Sequence, residues 1–355
     1  MKTIHPGGLV IRQKEPTNLE FPFEQLDSYL TPVESFYIRS HFHAPRLSPD
    51  SYRLSVEGAV KYPFAISYDE LKRLPAETVV ATLECAGNSR VFLVPQMPGA
   101  QWELGAVGNA EWTGVPLATL LDRAGLTAKA CDVVLEGADR GRPVEPPIPP
   151  EPISYSRSVP VDKALDDVLI AYTMNGVDLP QDHGFPLRAI VPGDYGMASV
   201  KWLTHVRVTE EQFQGYWQTT DYAYWDEVDG IAVRRPLAAL KLKSEIARPR
   251  TFEVVRKGQL YRVYGAAWCG TADVVRVDLT TDGGRTWAAT NLLDPIQPHA
   301  WRRWSYDWET PDRPRRYTLM SRATNAAGES QPDKPDPRYY SYVVHHTLPI
   351  EVIVE

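Results

Sequence analysis

The chain has 355 residues, 43% of them apolar and 23% charged, with a formal charge of −7. That profile fits a soluble protein of about two domains with an ample core, and the acidic balance excludes nucleic acid as the main partner while suiting a basic one, such as a cationic redox protein. Cys85, Cys131 and Cys269 stand far apart with no CxxC pair, which excludes a disulfide framework, a four-thiolate zinc site, a thiolate-ligated iron–sulfur cluster and a c-type haem attachment.

The N-terminus lacks an apolar core of signal-peptide length, and no stretch approaches the ~20 apolar residues needed to span a bilayer. The expectation is a cytoplasmic chain with no membrane partner. Phe36-Tyr37-Ile38-Arg39-Ser40-His41 places Arg and His at the end of a short apolar strand. A short helix follows over 67–74, opened by Ser67 as N-cap and closed before Pro75. Residues 78–83, β-branched and apolar, form a buried strand leading into Glu84-Cys85-Ala86-Gly87-Asn88-Ser89-Arg90. The Gly-Asn step favours a turn with positive φ. The thiol then sits at a rigid strand end beside a guanidinium, and nearby cation favours the thiolate that attacks or binds metal. The competing reading is a small buried hydrophobe.

Residues 115–125 form a helix with Pro near its start and Gly just past its end. Residues 133–135 and 168–172 are buried strands, separated by a proline-dense loop over 142–152 that forms a stiff surface or pocket rim. His183 and Arg188 then precede an apolar strand, with Ser199 and Lys201 after it. These donors suit an anionic, phosphate-bearing ligand, although solvated charges around a turn would look the same. No Walker A or GxGxxG motif supports an ordinary nucleotide site. The aromatic run from Gly215 to Asp226 reads as core or interface, with one tyrosine hydroxyl free to line a site.

After about Arg235 the pattern changes. Val275, Val277 and Leu279 alternate with polar residues, Asp282-Gly283-Gly284 forms a hairpin turn, and Trp304, Tyr306 and Trp308 alternate next. An immunoglobulin-like β-sandwich without its disulfide is expected, joined through the segment 236–249.

Taken in order, these segments resemble the sulfite oxidase family of molybdopterin-dependent oxidoreductases. The likeness runs from about Phe36 to the C-terminus through Glu84-Cys85-Ala86-Gly87-Asn88, His183-Gly184-Phe185-Pro186-Leu187-Arg188, Ser199-Val200-Lys201-Trp202 and the hairpin ending at Trp287. It implies an α+β fold: a molybdopterin-binding domain over 1–238, then an immunoglobulin-like domain over 239–355 that forms a homodimer. It also implies one molybdopterin per chain, with Cys85 as the only protein ligand to molybdenum. Thiolate is a reasonable partner to the sulfurs of the pterin dithiolene. By position, Ile38, Arg39, His41, Asp139, Ser158, His183, Arg188, Ser199 and Lys201 become the cofactor contacts. Arg39, Arg90, Trp102 and Tyr222 match the family's pocket for a small anion.

Two departures stand out. Family members carry two arginines after the Asn, whereas this chain has Ser89-Arg90. Near the C-terminus, His346 takes the place of a pocket arginine, and an imidazole with an ordinary pKa near ~6.5 carries full charge only in acid or beside an anion. The resemblance implies two-electron oxidation of sulfite, with electrons leaving to an external acceptor, either a cytochrome c-like protein or oxygen. Reduction of a sulfoxide-like or oxyanion substrate on the same cofactor is the alternative. A non-catalytic immunoglobulin-like binding module is the alternative from another class.

Overall fold

The computed structural model describes residues 3–144 and 146–355; Glu145, in the proline-dense loop, lies outside the described residues. Two five-stranded sheets build the first part of the chain. One runs Val177–Asp178, Leu169–Met174, Val107–Pro116, Glu77–Glu84, with Arg188–Ile190 also paired to Leu169–Met174. The other runs Phe64–Ser67, Arg53–Gly58, Leu203–Thr209, Asp132–Gly141, Ile153–Pro160. Pairing is antiparallel except where Leu203–Thr209 lies parallel to Arg53–Gly58.

Both expected helices form, the first as a single turn that ends at Leu71 rather than running to Leu74. Tyr68–Leu71 is opened by a full capping box between Ser67 and Glu70. Leu117–Ala124 buries Leu117, Leu120, Leu121 and Ala124 and ends at Gly125, where φ is +66°. A small N-terminal sheet pairs Asn18 with Arg39 and Leu19 with Ile38, which fixes Arg39 at the edge of the site.

The C-terminal part is an immunoglobulin-like sandwich. Its four-stranded sheet contains Lys243–Arg248, Leu260–Trp268, Arg302–Glu309 and Asn291–Leu292, facing a five-stranded sheet centred on Arg315–Asn325. Val263, Val277, Trp304, Leu319 and Val352 fill the space between them. The alternation expected across 275–279 breaks at Val275 and again at Asp278, which is buried. Val277 and Leu279 are buried but Val275 is 42% exposed, because the pairing with Arg315–Asn325 shifts register between Val274 and Arg276. A bulge there turns Val274 inward in place of Val275. The core of the first part continues through Leu237, Leu240, Ala247 and Trp268, so residues on both sides of 238 share it.

Candidate active site

Strand Glu77–Glu84 delivers Cys85 into a tight turn, with Cys85 N donating to Ala106 O at 2.8 Å and Asn88 N donating to Cys85 O at 2.8 Å. Positive φ is needed here, but at Ser89 (+68°) rather than at the Gly-Asn step. Gly87 serves a different purpose. A Cβ on it would stand 2.4 Å from Arg90 Nη2, so the glycine lets the guanidinium lie against the backbone. Arg90 is then pinned: Nε donates to Ser341 O and Nη1 to Ala100 O, each at 2.8 Å, with the guanidinium 5.0 Å from the ring centre of Tyr342.

Two clefts meet at this turn. The first is lined by Ile38, Arg39, His41, Asp139, His183, Arg188, Ser199 and Lys201, together with Cys85 and Tyr222. The second is lined by Arg90, Trp102, Asp221 and Tyr342 and shares Arg39, His41, Cys85 and Tyr222 with the first. Cys85 therefore faces a long donor-rich slot and a separate approach from outside.

The first cleft is rich in side-chain donors. Arg188 Nη1 donates to His183 O and Nη2 to Ser199 O, each at 3.0 Å, while its Nε is buried with no partner. Lys201 Nζ donates to Ser40 Oγ at 2.9 Å and to Asp182 O at 2.8 Å. Burial, reinforced by Arg188, pulls this ammonium down to about 7, and burial lifts Asp139 to about 6. His183 is pushed down to about 3 by burial, with Arg188 next, so it is neutral at neutral pH.

At the shared end, His41 Nε2 and Tyr222 Oη lie 2.6 Å apart, and His41 stacks on Tyr155 with ring centres 4.4 Å apart. Burial, then Arg39, holds His41 well below the usual imidazole range, while burial holds the Tyr222 phenol protonated. The cations expected beside Cys85 are present in Arg39 and Arg90, yet burial outweighs them and raises the thiol.

Two predicted residues lie elsewhere. Ser158 faces away from the first cleft, donating Oγ to Asp132 Oδ2 at 2.9 Å. Tyr155, three positions earlier on the same strand and so on its opposite face, lines the cleft instead. His346 lines neither cleft. Val343 N donates to Ala86 O at 2.8 Å, so the C-terminal segment meets the Cys85 turn three residues earlier and carries His346 past it. Burial, with His345 and Lys243 adding, pulls His346 down to about 4, which leaves it neutral rather than a replacement cation. Tyr342 is the side chain this segment places in the site, its hydroxyl donating to Asp221 Oδ1 at 2.7 Å. Trp217, from the aromatic run, packs at 4.5 Å on His41. Spacing alone singles out none of Tyr155, Trp217 and Tyr342.

The family model for the oxidoreductase molybdopterin binding domain matches residues 41–217, and that for the Mo-co oxidoreductase dimerisation domain matches 234–343. Mitochondrial sulfite oxidase of Rattus norvegicus is 36% identical over 94% of this chain, which spans 63% of that protein. Sulfite oxidase of Arabidopsis thaliana is 33% identical over 93% of this chain and 89% of its own length. The chain belongs to the sulfite oxidase family. Among solved structures of comparable shape, the sulfane dehydrogenase SoxCD from Paracoccus pantotrophus is 29% identical, with a TM-score of 0.84 over 96% of this chain and 85% of that one.

A sulfite oxidase family member binds a molybdopterin cofactor, and the residues fit it. Among the described residues no group of three or more His, Cys, Asp and Glu could hold a metal, so a metal at Cys85 must bring its other ligands with it, as a dithiolene does. The buried Nε of Arg188, in the wall of the first cleft, has no partner, and a buried donor of this kind calls for an acceptor. Arg188, His183, Ser199 and Lys201 would take the pterin and its phosphate, and Cys85 the metal.

Proposed function

We propose that the protein oxidises sulfite to sulfate, SO₃²⁻ + H₂O → SO₄²⁻ + 2H⁺ + 2e⁻, and passes the electrons to an external acceptor, a cytochrome c-like protein or oxygen. The observation that carries this reading is the second cleft, where Arg39, Arg90, Trp102 and Tyr222 converge on Cys85. When bound, the molybdenum–pterin centre supplies oxygen-atom transfer and accepts the electron pair. The chain's own residues bind and orient. Buried Arg90 and half-buried Arg39 hold the oxygens of a small dianion through their guanidinium groups. Arg39 is itself steadied by Nη1 bonds to Ser40 O and Asn18 Oδ1. Trp102 Nε1, unpartnered, and the Tyr222 hydroxyl add neutral donors. His41, held neutral, fixes Tyr222 without adding charge. The match to the dimerisation domain supports a homodimer. Stopped-flow mixing of the loaded protein with sulfite tests the reading: the molybdenum is reduced in the wild type, and Cys85→Ser abolishes turnover. Absence of reduction at saturating sulfite would favour the reductase alternative.

A further inference from the structure

Glu84 and Ser89 bracket the Cys85 turn, and both are held from the second domain. Lys243, on the first strand of the sandwich and 1% exposed, places Nζ 2.9 Å from Glu84 Oε1, 2.8 Å from Glu245 Oε1 and 3.0 Å from Ser89 Oγ. Trp268 Nε1, from the same sheet, donates to Glu84 Oε2 at 2.9 Å. Ser89 Oγ donates to Glu245 Oε1 at 2.5 Å. Asn88 Nδ2 donates to Glu84 Oε1 at 3.1 Å, and its Oδ1 accepts from Ala106 N at 3.0 Å.

Three consequences follow from these contacts. Both ends of the turn that presents the thiol are tied to one ammonium. Ser89 keeps a left-handed φ that a residue with a side chain adopts only at a cost, and its hydroxyl is locked between Lys243 and Glu245. The cluster is buried, so these charge-assisted bonds are little screened, and removing the cation leaves Glu84 and Glu245 without their counter-charge, held only by Trp268, Asn88 and Ser89.

We propose that Lys243 is a positioning residue for the metal-binding thiolate: the second domain, through Glu84 and Ser89, sets where the Cys85 sulfur lies relative to the metal. The proposal rests on Cys85 being the molybdenum ligand. An ion cluster that only joined two domains would alter stability and leave the metal–sulfur geometry alone.

The test is the cysteine-sulfur-to-molybdenum charge-transfer absorption and the Mo(V) electron paramagnetic resonance spectrum of the loaded holoenzyme, normalised to molybdenum content. Lys243→Met/Glu245→Gln removes the cation together with one of its carboxylates and so limits the unpaired charge. It is expected to shift both spectra and lower kcat at least tenfold with KM unchanged, whereas Lys243→Arg retains the wild-type signature more closely. Glu245→Gln keeps the cation and is expected to fold whatever the double variant does; it shifts the spectra by less. Spectra identical to wild type in Glu245→Gln and, where it loads, in the double variant overturn the proposal. A charge-transfer band absent from fully loaded wild type, or retained in Cys85→Ser, overturns the ligand assignment instead.

Discussion

Gly87→Ala isolates the contribution of Arg90 to substrate binding without touching a charge. Gly87 is not among the glycines with positive φ, so alanine brings no backbone penalty and acts only through its methyl group. That methyl carbon would stand 2.4 Å from Arg90 Nη2 and 2.7 Å from Cζ, and the guanidinium must retreat by ~1 Å or more to reach ordinary van der Waals contact. A guanidinium at the end of a free side chain would swing aside at little cost. This one is 4% exposed, bonded to Ser341 O and Ala100 O, and confined on its other side by Gly99, where a Cβ would stand 2.6 Å from Nη1. Losing those bonds costs about 1.5–3 kcal/mol each, so a fall in thermal stability accompanies the kinetic change. Misplacing an orienting group by ~1 Å costs on the order of 10²-fold, and kcat/KM for sulfite is expected to fall by about that factor, mainly through KM. Steady-state sulfite oxidation at matched molybdenum content measures it. Wild-type kinetics in Gly87→Ala would refute the assignment of Arg90 to the substrate.

Tyr222→Phe removes a buried donor at the junction of the clefts, and kcat/KM is expected to drop by about 10²-fold, as for loss of one preorganised hydrogen-bond donor. His346→Gln is expected to leave KM for sulfite within ~2-fold of wild type across neutral pH, because the ring lies outside both clefts and is neutral there; a pH-dependent rise in KM would return it to the pocket. Lys201 is protonated more readily in the unfolded chain, at its ordinary 10.5, than in the fold, at about 7. The unfolded state binds more protons between those values, so cofactor-free protein gains stability as pH rises through that window. Lys201→Met is expected to flatten that part of the melting-temperature profile, and an unchanged slope would count against the buried ammonium.

Local chemistry carried the sequence reading furthest. The N-cap at Ser67, the Gly125 stop and the strand running into Cys85 depend on neighbours a few residues away, and each is visible in the chain. The misplaced features depend on distant partners or on strand parity. Val275 lost its inward place to a bulge set by the pairing strand. Ser158 sits one face away from the cleft that Tyr155 lines, a distinction that a motif placed by resemblance does not resolve. Tyr342 and Ser341 reach Arg90 across some 250 residues of chain, and Lys243 reaches Glu84 across 159, distances at which spacing carries no signal. His346 misled for the same reason: resemblance placed it near the pocket, but the bond from Val343 to Ala86 decided which residue of that segment entered.

Under the proposed function, sulfite delivers its electron pair to a metal held by Cys85. Anaerobic titration of the molybdenum-loaded protein with sulfite tests it most directly, following the metal's absorbance and the sulfate formed. The expected result is about one molybdenum per chain, reduced by one equivalent of sulfite with one sulfate released, and no reduction in Cys85→Ser. Full loading with no reduction at saturating sulfite, or equal reduction in Cys85→Ser, would contradict it.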